Sequence, residues 1–278
     1  MTGRGMVTPE TLADRMNTLP PMPQAAGRVL RLLEQQDTTA DDLRRVIETD
    51  PALTGTVLRL VNSALFGMPR QISTLSHAIM LIGFLRLRSL TLTTVAAGLR
   101  EMIPPDAAAE RALIWEHSVD TALGARVIAE RLGFGWSEEA FVAGLLHDVG
   151  RLVLLSFQVR EYRGLVDPGH GALPTPEEEV ALLGMDHEQV GRELLRRWRL
   201  APQLVEVCGG HHGDALPRGD HAELAAIVMV ADRLLGSASR EDPVPPAEAL
   251  GLGAGDLDRL GEEVRREVAD ARSVLLAM

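Results

Sequence analysis

Between residues 117 and 232 the sequence carries seven side chains whose types and order suit metal chemistry: His117, the pair His147-Asp148, His187, the pair His211-His212, and Asp232. Neutral imidazoles and carboxylates are ligands for borderline and hard divalent ions, with Fe, Mn, Zn and Ni as the candidates. Seven potential ligands suffice for one ion or for two. Two ions held a few Å apart can clamp a phosphate and activate water between them, and such a pair needs a bridging carboxylate. Asp148 is the expected bridge. Any one of these residues alone is more often a hydrogen-bonded core side chain than a ligand, so the signal lies in the ordered set. His77, His170 and His221 are left outside it.

These side chains must be positioned by something rigid. Residues Ala140 to Leu155 read as one helix that is apolar nearly all round, which is the pattern of a buried helix. His147 and Asp148 sit in its middle. A carboxylate removed from water needs a cation, a donor network or a metal as partner. Adjacent helical residues point about 100° apart, so the pair must act on a shared object lying between helices.

The rest of the chain reads as helices too, and the expected fold class is all-α. Leu19-Pro20-Pro21-Met22-Pro23 is a rigid entry, followed by a helix with Val29, Leu30, Leu32 and Leu33 apolar. Thr38 to Asp42 supplies capping oxygens and first-turn acids for a helix carrying Leu43, Val46 and Ile47. Asp50-Pro51 is a start signal, with Asp as N-cap and Pro as first helical residue. That helix is expected to end at Gly67 and Pro69. Helices over Ser76 to Leu81 and Gly83 to Arg100 are split at Gly83. Ser137-Glu138-Glu139 is expected to cap the His147 helix, and Thr175-Pro176-Glu177-Glu178 is a capping box. Further helices are expected from His187 to Trp198, from Pro202 to about His211, and from Leu224 to Leu235. We expect an N-terminal helical part over residues 1–105, ending at Pro104-Pro105, and a second helical part with the His/Asp cluster over 106–240. A linker and an amphipathic helix follow over 241–278.

Composition narrows the function. The 278 residues are 46% hydrophobic and 24% charged, ordinary for a globular protein. The net charge is −11 and aromatics make up only 3%, a poor match to a nucleic-acid-binding surface. Cys208 is the single cysteine, which excludes an intrachain disulfide and fits a reducing compartment. No apolar leader follows Met1, and no uncharged run reaches the roughly 18 residues of a membrane span. A cytoplasmic protein is expected, without a membrane partner. Charge is also uneven: Pro51 to Arg100 contains no Asp or Glu but has Arg59, Arg70, Arg86, Arg88 and Arg100. Solvated arginines on helix backs would explain this, and so would an Arg-bearing face, centred on Arg59, Arg86 and Arg88, for an acidic protein or a phosphate-bearing ligand.

His117, His147-Asp148 and Asp232 together resemble the signature of the HD superfamily of metal-dependent phosphohydrolases. His187 and His211-His212 are similar to the extra ligands of its two-metal HD-GYP branch, which hydrolyses cyclic di-GMP. The first part is more specific. Leu19-Pro20-Pro21-Met22-Pro23, Asp50-Pro51-Ala52-Leu53, Val57 through Gly67, and Ile72 through Gly83 resemble the marks of the HDOD domain, and the likeness runs from about residue 15 to 235. It implies an HD-like helical fold and a role in bacterial signal transduction as an output or adaptor module, with a mono- or binuclear metal site formed by the seven residues. The alternative it implies is a metal-dependent phosphodiesterase acting on a cyclic dinucleotide or nucleotide, with Asp148 bridging and Arg151 neutralising a phosphate oxygen. The sequence departs from the HD-GYP pattern at three points. Gly213-Asp214-Ala215-Leu216-Pro217 replaces the Gly-Tyr-Pro element. Arg151 stands where Lys is usual and cannot donate a proton. Leu113 stands one turn before His117, where an acid is expected.

Overall fold

A computed structural model describes residues 17–62, 70–157, 159–212, 221–236 and 244–276. In chain order its helices are α1 (Gln24–Leu33), α2 (Ala40–Ile47), α3 (Pro51–Val61), α4 (Leu75–Ile82), α5 (Phe84–Leu99), α6 (Ala108–Arg131), α7 (Ser137–Leu146), α8 (Val149–Phe157), α9 (Val159–Arg163), α10 (Pro176–Leu183), α11 (His187–Arg197), α12 (Pro202–Cys208), α13 (Ala222–Leu235), α14 (Val244–Ala249) and α15 (Ala254–Leu276). Among the described residues there is no strand, only an isolated bridge between Asp167 and Ala172. The fold is all-α, as expected.

Local chemistry accounts for several helix starts. Thr39 and Asp42 cap α2 reciprocally. The Asp50 carboxylate accepts the Ala52 and Leu53 amides above Pro51, and Thr175 with Glu178 forms the capping box of α10. Each cap satisfies amides that have no partner within the helix. Gly83, with φ of 77°, turns the chain between α4 and α5, a left-handed corner that side-chain-bearing residues resist.

Two apolar clusters result. Val29, Leu43, Ile47, Leu53, Val57 and Ile79 are fully buried members of the smaller, which α1 to α4 and the first half of α5 close. The larger takes in Leu19, Ala26 of α1, and Leu92 and Val95 in the second half of α5, and extends through α6 to α15. Helix α6 is its spine, with α7, α13 and α15 packed against it. Ser137–Phe157 and, as a pair bent by 110°, Leu75–Ile82 with Phe84–Met102 are long and apolar enough for a membrane span. For Ser137–Phe157, 89% of the apolar window is buried inside the protein, where it serves as core.

The structure differs from the sequence expectation in four places. The run from Ala140 to Leu155 is two helices with a turn at His147-Asp148. The Gly144 carbonyl, which a continuous helix would give to the Asp148 amide, accepts the His147 Nδ1–H at 2.7 Å. Ser137 is the first residue of α7, after Trp136, and makes no side-chain cap. Helix α12 stops at Cys208, because Gly209-Gly210 follow, and leaves His211-His212 outside it. Helix α3 ends at Val61; Gly67 and Pro69 lie outside the described residues.

Candidate metal centre

The expected residues come from five separate segments. His117 projects from α6, His147 and Asp148 occupy the α7–α8 turn, His187 opens α11, His211-His212 follow α12, and Asp232 lies in α13. Two helices must approach closely for this. A Cβ on Gly150 would lie 2.0 Å from the His187 carbonyl oxygen. Only a hydrogen there lets α8 and α11 meet and brings His187 to Asp148.

Asp148 is the meeting point. Its Oδ2 lies 3.4 Å from His117 Nε2 and 3.6 Å from His147 Nε2. Asp232 Oδ1 is 3.0 Å from His117 Nε2 and 3.8 Å from His147 Nε2. On the other side Asp148 Oδ1 is 3.1 Å from His187 Nε2 and 3.4 Å from His211 Nε2. His212 completes a set with Asp148, His187 and His211 whose donor atoms all lie within 4.8 Å of one another. All seven residues are brought together; His147, Asp148, His187 and His211 are fully enclosed.

The surroundings fix which imidazole nitrogens carry protons. His147 Nδ1 faces a carbonyl, which only accepts. His187 Nδ1 faces Glu179 Oε2 at 2.6 Å. Both must donate through Nδ1, so both neutral rings present a bare Nε2 lone pair to Asp148. Asp148 Oδ1 is buried and makes no hydrogen bond. Two lone pairs facing one buried carboxylate, that of His147 toward Oδ2 and that of His187 toward Oδ1, fit a divalent transition ion, and an outer carboxylate or carbonyl orienting each imidazole is the usual support of such a site.

Electrostatics follow from this crowding. Burial pushes His147 down to about 3. Burial also opposes charge on His117, but hydrogen bonds with Asp148 and Asp232 win and hold it at about 10. Asp148 is well below the ordinary carboxylate range; burial alone would raise it, and Arg151, His147 and His187 reverse that.

Several residues that sequence reasoning did not single out hold the centre in place. Fully buried Glu179 accepts the His187 Nδ1–H and backbone amide, the Tyr162 hydroxyl at 2.6 Å and Arg151 Nη1 at 2.9 Å. Glu188 Oε1 accepts the amides of His211 and His212 at 2.7 and 2.9 Å. In the sequence both look like first-turn helix acids, Glu179 within Glu177-Glu178-Glu179 and Glu188 after His187. The one available signal was that an acid facing inward from an apolar stripe needs a partner. Arg151 is 2% exposed; Nε donates to Asp148 Oδ2 at 2.7 Å and Nη1 to the Pro174 carbonyl at 2.7 Å.

A cavity of about 360 Å³ opens beside the centre, with His117, Asp148, Asp232 and His212 on its floor. At its rim Arg272 of α15 reaches Glu116 at 3.2 Å and Asp120 at 3.3 Å. Of the histidines left outside the set, His77 and His170 are exposed and His221 is half-buried at the start of α13. Cys208 is enclosed in the core, where burial pushes its thiol pKa well up.

Comparison with known proteins agrees with this architecture. The model of the HDOD domain matches residues 19–213. An HDOD domain protein of unknown function from Geobacter sulfurreducens has a solved structure that is 27% identical, with a TM-score of 0.73, covering 95% of this chain and 96% of that one. A provisionally named phosphohydrolase from Shewanella amazonensis, 23% identical with a TM-score of 0.70 over 98% of this chain and 100% of its own, shares the fold. Among curated proteins, an uncharacterized protein of Treponema pallidum (strain Nichols) is 26% identical over 235 residues, 84% of this chain and 45% of its own. Ribonuclease Y of Geobacter sulfurreducens is 28% identical over 183 residues, 59% of this chain and 29% of its own. The chain thus spans less than half the length of these curated relatives.

Proposed function

The chain belongs to the HDOD domain family, and from that premise we propose that it is a bacterial signalling module that works by binding, with a divalent transition ion holding its HD-like half together. The observation that carries this reading is that the bare Nε2 atoms of His147 and His187 both face the buried Asp148 carboxylate, whose Oδ1 makes no hydrogen bond. His117, His147, Asp148, His187, His211, His212 and Asp232 are the proposed ligands, around one ion or two. Residues 1–105 serve as the partner-binding part and residues 106–240 as the metal-holding part.

The partner face lies around the α4–α5 corner. Met80, Leu81, Phe84 and Leu85 are exposed there, Leu85 at 70%. Exposed Arg86 and half-buried Arg88 adjoin them, and exposed Arg59 lies on α3. An apolar patch of this kind marks an interaction site more often than a bare surface. Its arginines suit a partner with an apolar knob and an acidic rim, which would compete with Glu138 for Arg86, now 3.3 Å from it.

A second reading, a metal-dependent phosphodiesterase, is favoured by the open cavity against the centre and by the partial likeness to ribonuclease Y. A bound ion would supply Lewis-acid activation of water. Asp148 and Arg151 would carry the reaction in the chain, with a cyclic dinucleotide, a nucleotide or RNA as the phosphodiester to test. The engagement of Arg151 by Asp148, Glu179 and Pro174 ranks this reading second, because that guanidinium is already committed to protein oxygens.

Two experiments separate the readings. A double variant, Arg86→Glu with Arg88→Glu, should abolish capture of the signalling partner and leave the metal content unchanged; retained capture would refute the partner face. The Mn- or Fe-loaded protein should not turn over a generic phosphodiester, and turnover abolished by His147→Ala would establish the second reading instead.

A further inference from the structure

A second cavity, of about 220 Å³, lies at the junction of the two apolar clusters. Leu60 of α3 and Leu90 of α5 bring the smaller cluster to it, and Leu123, Phe141 and Leu275 bring the larger. None of the seven proposed metal ligands lines it.

Most of its polar wall is already engaged within the protein. Glu138 holds Oε1 3.3 Å from Arg86 Nε and accepts the Ser89 hydroxyl on Oε2 at 2.8 Å. Thr93 donates its hydroxyl to the Ser89 carbonyl at 2.8 Å. Arg126 differs. It is half-buried on α6, and its guanidinium carbon stands 5.5 Å from the centroid of the Phe141 ring. Among the described residues no carboxylate or carbonyl meets it. Glu130, one turn further along α6, lines the same cavity without pairing with it. Arg44, Arg131 and Arg163 each meet a carboxylate, even at the surface. An arginine keeps its charge in a protein. Partly removed from water, that charge calls for an anion, and an aromatic face is the weaker substitute.

The wall also limits what can bind. One unpaired guanidinium suits one negative charge, and Glu130 and Glu138 beside it repel a dianion. The apolar floor suits a hydrocarbon body. The volume is below the roughly 300–1,000 Å³ of sites for drug-sized molecules, so that body is short.

We propose that this junction is a binding site for a small amphipathic monocarboxylate, with its head on Arg126 and its chain on Leu60, Leu90, Leu123 and Leu275. A guanidinium receives a carboxylate through two parallel N–H···O bonds. The ligand touches both apolar clusters at once and stiffens their junction.

The test is isothermal titration calorimetry of the chelator-treated full chain with octanoate, beside octylammonium and inorganic phosphate at equal ionic strength. Chelator treatment keeps the carboxylate from being counted on a metal. Octanoate should bind saturably at one site per chain, and the other two should not. Arg126→Gln should weaken octanoate binding about 10-fold or more, as loss of a charge-assisted pair does. Arg126→Lys, a point charge without the fork, should weaken it less. Ala271→Leu, on the α15 wall of the cavity, should weaken it by filling space while Arg126 stays in place. Far-UV circular dichroism confirms folding, and either variant carries the test if the other fails to fold. Equal binding of octylammonium, binding of phosphate in place of octanoate, or no saturable octanoate binding would overturn the assignment. Wild-type octanoate affinity in the folded variants would overturn it too.

Discussion

Glu179 Oε2 stands 2.6 Å from His187 Nδ1 and 2.7 Å from the His187 backbone nitrogen, in a place fully closed to solvent. The other oxygen of the same carboxylate holds Tyr162 and Arg151. One side chain on α10 therefore sets the tautomer of a proposed ligand on α11 and anchors the cation on α8.

Removing that carboxylate leaves Arg151 with one anionic partner in the core. Breaking a buried pair from one end costs about 3–5 kcal/mol, and loss of an imidazole's outer partner weakens metal binding about 10–100-fold. Glu179→Ala should show both effects in urea unfolding and metal titration. Glu179→Gln, whose amide oxygen still accepts the His187 proton, should retain more of the affinity. Wild-type metal affinity in Glu179→Ala would contradict this role.

The same group predicts an acid response. Burial opposes its charge, yet His187 and Arg151 hold its pKa at about 2, below the ordinary 4.5. A carboxyl with a depressed folded-state pKa stabilises fully above its unfolded value, and that stability is lost as pH falls toward the folded value. In chelator-treated protein the stability gap between wild type and Glu179→Gln should be widest above pH 4.5 and shrink as pH falls toward 2. Urea unfolding across a pH series checks this, and a gap constant through that window would be inconsistent with it.

Gly150→Ala tests the approach of α8 to α11. Its Cβ would fall 2.0 Å from the His187 carbonyl oxygen and 2.8 Å from the Gly191 nitrogen. Both are backbone atoms that cannot rotate away, so the cost should reach or exceed the upper end of the about 1–3 kcal/mol usual for overpacking. Metal affinity should fall with it, because His187 moves from Asp148. An alanine variant with wild-type melting and affinity would show that the helices are not in contact there.

Chelation should lower the melting temperature. A ligand bound only to the native state stabilises it by about 2.7 kcal/mol at 100 times its dissociation constant. Differential scanning calorimetry with and without chelator should show a lower midpoint for the stripped protein, and readdition of Mn or Fe should restore it. Identical midpoints would mean that the ion does not hold the fold.

Much of the molecule was legible in the sequence. Thr39, Asp50-Pro51 and Thr175 announced helix starts because capping is a local interaction, and Gly83 announced the α4–α5 corner for the same reason. The seven residues of the centre were legible as an ordered set of ligand types. Tertiary contacts hid the rest. The turn at His147-Asp148 depends on an imidazole taking the Gly144 carbonyl, which apolar periodicity does not encode. Ser137 has the right type for a cap and lies one residue inside the helix. Glu179 and Glu188 have the spacing of ordinary first-turn acids, and only the packing of α10 and α11 against the centre turns them inward. The pairing of Arg151 with Asp148 is a local i,i+3 contact, but its pairing with Glu179 joins residues 28 apart, which no local pattern reveals.

The central claim is that Asp148 and the imidazoles around it hold a transition-metal ion. The direct measurement is elemental analysis of protein purified without chelator, for wild type and for Asp148→Ala, with Asp148→Asn as the variant closest in shape and circular dichroism as the check on folding. Each wild-type chain should carry at least one transition-metal ion, and the folded Asp148 variants none. Metal-free wild type from an anaerobic preparation, or a folded Asp148→Ala that keeps its full complement, would contradict it.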